Sequence, residues 1–467
     1  MRENVVPSSG DSERQRIPQP LIKRRMASGR GAMEQPNVTH DGEARLTPRF
    51  WLALVVTGIV TGLFGDFLMW VLAIFEGLAF HYRSGSFQNA VAAVSRERRI
   101  TMIAIAGVVG AISWYLIRRY LRHETSEIDH AVWNGDGELS PRRCLLTSVV
   151  SEVVIGMGAS IGREAAPKLM GGASGSVLAH WFALTPAQKR LLVACGGGAG
   201  LAAVYNVPLG GALFTAEILY GSLTLPVVLP ALATSMIATA VAWVYLPTTA
   251  TYTDIINYRF TNSIMVWSVL AGVVIGLLAV FYVRLIGWVS HHRARGKQIL
   301  WAMPIAFLLV GVAGLWYPQL FGNGKDMAHE AFLGVGGAGL LFALFALKPF
   351  VTALTLGSGG SGGLFTPFLS TGAVLGGFLG IVWSHLWPGT AVGAFALIGA
   401  SAMIGAAMQA PLVGLVLVLE LTHVGFAITV PMMVATVIAT VIVRQIDGYS
   451  IYSARLDQHP AVSAEGP

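Results

Sequence analysis

The chain has 467 residues, 54% of them hydrophobic and only 12% charged, with a mean hydropathy of +0.64. Soluble domains carry about twice that share of charge, so the composition excludes a soluble globular protein and indicates a polytopic integral membrane protein. The net charge of +7 gives no nucleic-acid signal, because the basic residues fall in short runs beside apolar segments, as the positive-inside rule expects.

Residues 1 to 48 are polar, with Pro, Ser, Gly and a basic cluster at Lys23, Arg24 and Arg25. No apolar stretch precedes Phe50, so this segment is not a signal peptide and reads as a disordered cytoplasmic tail. A first long helix is predicted from about Phe50 to Phe80, with Asp66 an oddity for a lipid-facing segment. The loop over Tyr82–Arg98 belongs on the side opposite the tail. A second helix, about Ile100 to Leu121, ends in Arg118, Arg119 and Arg122, which places that end in the cytoplasm. A short helix is predicted over Ile128–Trp133. Apolar segments follow at about Leu145–Gly156, Ala165–Phe182, Lys189–Val204 and Val207–Leu219. The first, third and fourth are too short for an ordinary span of about 20 residues. Longer segments run over Thr224–Tyr245 and Ile264–Ser290, and the run from His291 to Lys297 marks the cytoplasmic side again. The second half offers Ile299–Leu315, Ala331–Leu347, Gly363–Ser384, Ala391–Met408, Pro411–Leu421 and Ile428–Val443. Many of the 55 glycines interrupt these runs. Broken helices are tolerated at membrane depth only where protein buries them or they line a cavity, which points to a transporter or channel.

The stretch Gly156–Ser176, GMGASIGREAAPKLMGGASGS, is small, glycine-rich and apolar, yet carries Arg163, Glu164 and Lys168. Ionisable residues at membrane depth cost roughly 3 kcal/mol or more and are usually functional. Ala165 and Ala166 lead into a helix-compatible run, with Pro167 tolerated in its first turn. A helix beginning inside the protein aims free N–H groups and its positive dipole end at a cavity, which is an anion site. The alternative is a tight helix crossing that holds a buried Arg163–Glu164 pair.

The second half repeats the first. N-V-P-L-G-G-A-L-F-T-A-E, ending at Glu217, matches Q-A-P-L-V-G-L-V-L-V-L-E, ending at Glu420, at an offset of 203 residues. At nearly the same offset Gly162–Gly171 falls on Gly363–Gly372. Such internal repetition is how many transporters build a midplane site from opposed half-helices. Cys144 and Cys195 have no metal-ligand spacing and the 11 histidines are scattered, so no metal and no cofactor is expected.

From about residue 50 to 457 the sequence resembles the CLC family of chloride channels and chloride/proton antiporters. Four stretches carry the likeness: G-R-E at Gly162–Glu164; T-A-L-T-L-G-S-G-G-S-G-G-L-F-T-P at Thr352–Pro367; the paired blocks ending at Glu217 and Glu420; and I-Y-S-A-R-L at Ile451–Leu456. The resemblance implies an all-α membrane fold of two pseudo-symmetric, inverted repeats with discontinuous helices, about 49–262 and 263–457, followed by a short tail over 458–467. It implies that Glu164 is the gate, a carboxylate that competes with the anion and releases the site by taking a proton. Backbone N–H groups around Arg163, Glu164 and Ala165, and around Leu364 and Phe365, would coordinate the anion. The Tyr452 hydroxyl would donate to it as well. Glu164 and Glu217 are the proton-pathway candidates.

Three departures stand out. The family's serine loop falls, by ungapped counting, on Arg122–Ser126, where His123 replaces the serine. In G-R-E-A-A-P the proline comes one residue late. The position after Glu217, where antiporters often carry a second glutamate, is Ile218. The resulting expectation is a carrier of small inorganic anions, most of all chloride, with channel-like or weakly coupled flow favoured over tight proton exchange. Fluoride and nitrate are alternative anions. A homodimer in the lipid bilayer of a bacterial inner membrane, with both termini cytoplasmic, is expected. Faces near Thr224–Tyr245 and Ala391–Leu421 are the interface candidates. An intramembrane enzyme using Glu164, Glu217 or His123 is the rival, but no nucleophile–histidine or metal-ligand pattern supports it, and no enzyme is expected.

Overall fold

The computed structural model describes residues 45–121, 127–133 and 135–456. The expected tails over 1–48 and 458–467 fall almost wholly outside these, as does His123 with the rest of Arg122–Ser126. Seventeen α-helices are formed among the described residues. In the first half these are α1 Pro48–Phe80, α2 Phe87–Ala93, α3 Arg96–Tyr120, α4 Ile128–Trp133, α5 Pro141–Gly156, α6 Ala165–Trp181, α7 Pro186–Tyr205, α8 Pro208–Leu213 and α9 Leu225–Ala242. In the second they are α10 Asn262–His291, α11 Ile299–Trp316, α12 Lys325–Phe332, α13 Ala338–Gly357, α14 Phe365–Ser384, α15 Val392–Met408, α16 Pro411–Thr422 and α17 Thr429–Ile446. Eight described helices are long and apolar enough to cross a membrane.

Local chemistry sets the starts. Thr47, Ser95, Ser140 and Thr185 each place a side-chain oxygen on a first-turn N–H, and prolines at 48, 141 and 186 open their helices where no N–H is needed. Around Thr185 the cap is reciprocal, because Gln188 returns a bond to the Thr185 N–H at 3.0 Å.

The expected Ala331–Leu347 segment is instead two pieces. Hydropathy runs on through the turn at Leu333–Gly337, while the chain stops α12 and restarts in α13, which extends to Gly357. Val207–Leu219 is α8 continued by a π-helical turn over Phe214–Leu219. Within it the Thr215 hydroxyl donates to the Gly211 carbonyl at 3.1 Å.

The packing repeats as the sequence does. α6 lies on α7 as α14 lies on α15, α1 on α9 as α10 on α17, and α5 on α6 as α13 on α14. α3 meets its counterpart α11, and α8 meets α16. The α6–α7 crossing is backbone against backbone, with Gly171 set on Gly196 and Gly200 on the Pro167 carbonyl. Gly372 and Gly399 make the equivalent contact in the second half. Because α15 is buried along its length from Gly393 to Met408, the interface face expected over Ala391–Leu421 can come only from α16.

The paired glutamates cap across the halves. Glu217 accepts from the N–H groups of Leu412 and Val413, at 3.4 and 2.8 Å, and Glu420 accepts from those of Leu209 and Gly210, at 3.0 and 2.5 Å. Each half thus supplies the anionic cap for the other half's short helix.

One buried cation fastens the loop ahead of α6. Lys348 on α13 is fully enclosed and donates to the Ser160 hydroxyl at 2.9 Å, the Gly322 carbonyl at 3.0 Å and the Leu320 carbonyl at 3.4 Å. Gly322 and Gly324 take φ of +66° and +92° to bring that turn to it. Replacing Lys348 with methionine strands these acceptors, each worth about 1–3 kcal/mol when left unpaired. A lowered thermal midpoint of the detergent-purified protein, by several degrees, is the expected outcome.

Candidate functional site

The surroundings of Glu164 are built where the two halves touch. Gly162 and Gly363, equivalent positions in the repeat, form an isolated antiparallel bridge with N–H···O distances of 2.8 and 2.7 Å. Two strands of chain meeting this way leave α6 and α14 beginning side by side. Glu164 is the residue before α6, and Leu364 the residue before α14.

Glu164 does not cap its own helix. Its carboxylate crosses to the other half and accepts from the Phe365 backbone N–H at 2.6 Å, from the Thr366 hydroxyl at 3.1 Å and from the Tyr205 hydroxyl at 3.3 Å. The Tyr205 and Thr366 hydroxyls also lie 2.7 Å apart, so either can donate to the other in place of the carboxylate, and the three groups sit within mutual hydrogen-bonding reach. The side chain is 5% exposed. A carboxylate therefore occupies the N-terminus of α14, where orphan N–H groups and the helix dipole favour negative charge.

Arg163 parts company with its neighbour. Its guanidinium lies 5.1 Å from the centre of the Tyr205 ring, and its side chain lines a small cavity of about 50 Å³ with Glu76, Tyr82, Lys325 and Asp326. Glu164 lines a separate, larger cavity of about 430 Å³. The buried Arg163–Glu164 pair entertained from sequence is thus replaced by two residues that line two different cavities. Ala165, Leu364, Phe365 and Tyr452 line the larger cavity with Glu164, so five of the expected residues come together there. Arg293 and Arg295, from the basic run that follows α10, stand at the same cavity.

Tyr452 is not on a regular helix. It precedes a single 3₁₀ turn, Ser453–Arg455, held by the Ile451 N–H donating to the Ala407 carbonyl at 2.8 Å. Its ring meets Phe214 edge-on at 5.9 Å. Glu217 lies elsewhere, its carboxylate committed to the α16 start, and Ile218 is buried in the core.

Sequence reasoning assigned no role to Thr366, which sits inside a quoted motif, or to Tyr205, which directly precedes one. It also passed over Glu152 on α5, which is fully buried with neither carboxylate oxygen bonded among the described residues. The charged neighbours of Glu152 are Arg163, Glu164 and Glu76. Only a charge within an apolar run, S-V-V-S-E-V-V-I-G, signalled it.

With this geometry in place, comparison with known proteins decides the family. Residues 109–444 match the family model described as voltage gated chloride channel. The chain belongs to the CLC family. Anion transport is what this membership assigns to it. A putative chloride channel protein, ClcB-like, from Ralstonia nicotianae is 31% identical over 363 residues, covering 75% of this chain and 83% of that relative. Among solved structures, a slow cyanobacterial Cl⁻/H⁺ antiporter superposes with a TM-score of 0.76 at 24% identity, covering 87% of this chain and 97% of the other. A CLC-type fluoride/proton antiporter gives 0.71 at 18% identity, covering 87% and 97%. At these identities the two structures establish the CLC fold, inverted repeats included.

Proposed function

We propose that this CLC protein carries small monovalent anions, chloride foremost, along a path that Glu164 closes when ionised and opens when protonated. The observation that carries the reading is the Glu164 carboxylate on the Phe365 N–H at 2.6 Å, an anionic group in the place an anion would take. Neutral donors suit conduction, because binding must be strong enough to admit the ion and weak enough to release it. The path leads from the large cavity past Tyr452 to Ala165, Leu364 and Phe365, then outward towards Arg163.

Flow is channel-like or weakly coupled to protons. Ile218 carries no proton and Glu217 is occupied as a cap, so neither of these two positions passes a proton to Glu164. Both solved relatives cited are antiporters, which makes tight exchange the second reading. The protein acts as a transporter without a chemical reaction. It works as a homodimer in a bacterial inner membrane, with both termini cytoplasmic, and its transmembrane unit spans 49–457. α9 and α16, which expose Leu225, Leu229, Met236 and Leu412, are the proposed dimer faces.

Chloride efflux from proteoliposomes, with external pH followed at the same time, tests this. Efflux with little proton movement supports the reading. Sustained uphill proton movement at a fixed ratio to chloride moves the assignment to exchange, and absence of flux with chloride, nitrate and fluoride alike overturns anion transport.

Tyr452 is proposed to donate its hydroxyl to the anion in the larger cavity. Tyr452→Phe removes one donor, a net loss of about 1 kcal/mol. Calorimetric titration should show chloride binding weakened several-fold with an unaltered elution profile. Unchanged affinity assigns the ring to packing against Phe214.

A further inference from the structure

Lys168 stands one helical turn beyond Glu164 on α6, so both side chains lie on the same face of the helix. Lys168 lines the large cavity. Asp129 of α4 lies 3.4 Å away through one carboxylate oxygen, and the side chains of this pair are 14% and 18% exposed. The remaining neighbours are aromatic. The Tyr452 ring centre is 4.8 Å from the ammonium and the Phe214 ring centre 5.7 Å. Rings hold a cation over their faces but accept no ordinary hydrogen bond. An ammonium has three N–H donors, and among the described residues only Asp129 takes one. The surplus donors and the full charge belong to a residue that shares its cavity with Glu164.

The rest of the cavity does not neutralise Lys168. Glu127 lies 3.6 Å from Arg293 and is engaged there, while Arg295 and Arg455 add positive charge at the rim. Asp129 is therefore the one carboxylate seen to pair with this ammonium among the described residues.

We infer that Lys168 is the docking cation for the transported anion at the inner end of the path, and that Asp129 is its resident competitor. The inference rests on the anion-transport reading and adds a site to it. An entering anion of the chloride or nitrate class takes the place of the Asp129 carboxylate on the ammonium, beside the Tyr452 hydroxyl. As the ion moves towards Glu164, Asp129 returns. A bare lysine would hold the ion too firmly for transport, whereas a tethered carboxylate offsets the charge and speeds release. The path then has a carboxylate at each end, and each stands in for the ion when the ion is absent.

The two residues make opposite predictions, which a mere structural ion pair does not. The full-length protein is titrated with sodium chloride by calorimetry and, in proteoliposomes, chloride efflux is measured across a range of chloride concentrations. Lys168→Met should weaken chloride binding tenfold or more and raise the half-saturating chloride concentration in parallel. Asp129→Asn should strengthen binding several-fold and slow release. Lys168→Arg should retain binding within a few-fold. If Lys168→Met binds chloride as the wild type does, or if both neutral variants weaken binding together, the inference is wrong. Should Lys168→Met fail to fold, Asp129→Asn decides alone, since tighter binding supports the competitor role and weaker or unchanged binding rejects it. Wild-type protein without flux for any anion would sink the transport reading, whereas wild-type flux with unaltered Lys168→Met binding sinks this inference only.

Discussion

Replacing Glu164 with alanine should leave a folded protein whose anion flux no longer depends on pH. In the wild type the carboxylate accepts from Phe365, Thr366 and Tyr205, and on the proposed reading it holds these donors against the anion. Hydrogen bonds to a charged group are worth about 1.5–3 kcal/mol each, and every 1.4 kcal/mol of occupancy removed is about tenfold in site availability. Neutral-pH flux should therefore rise by about tenfold or more in the variant. The sign with pH follows from the charge. Protonation turns the carboxylate into a neutral group that competes poorly for the α14 N-terminus, so wild-type flux grows as pH falls while that of Glu164→Ala stays flat and high. Glu164→Gln, which keeps the shape without the charge, should behave like the wild type at low pH. A well-folded alanine variant that retained the wild-type pH profile would remove Glu164 from the gate.

Adding a single methyl group at Gly196 should have an equally large effect, this time on folding. A Cβ there would land on the Gly171 carbonyl oxygen, and the reverse substitution would land on the Gly196 carbonyl. Overpacking against side chains commonly costs about 1–3 kcal/mol, because side chains can turn away. Helix backbones cannot, so Gly196→Ala should cost more than about 3 kcal/mol and yield little monodisperse protein after detergent extraction. Gly337→Ala is the control, since its added methyl meets nothing within 4 Å. It should purify like the wild type, within about 0.5 kcal/mol in stability. Equal yields of the two variants would show that the α6–α7 crossing is looser than its geometry.

These two positions also mark how far the sequence could be read. Gly162–Gly171 and Gly363–Gly372 were visible as a repeat, because close helix approach needs small residues that pattern cannot hide. Glu164 was visible because charge is scarce in the interior. Lys168 was just as scarce, but its target depends on where α6 starts and which way α4 runs, and neither is written in hydropathy. Lys348 was less legible still. It falls next to the predicted end of an apolar segment, and only the restart of the chain at Ala338 puts it inside a helix and under the loop at Ser160. Hydropathy also cannot separate a helix facing lipid from one enclosed by protein, which is why the interface candidate Ala391–Leu421 takes in the enclosed α15. Glu217 and Glu420 are legible as a matched pair, yet that they cap helix starts and exchange partners between halves depends on the two-fold arrangement and not on either block alone.

That exchange has a consequence for how the protein is made. The N–H groups of Leu209 and Gly210 await a carboxylate that is 211 residues further along the chain in the first case and 210 in the second. At a synthesis rate of about 5–20 residues per second, Glu420 emerges roughly 10–40 s after them. Throughout that interval the nascent first half has an uncapped helix start in or near the bilayer, where unpaired backbone groups are costly. The start of α8 thus gains its anionic cap only when the second half arrives, so this part of the first half is completed late in biogenesis.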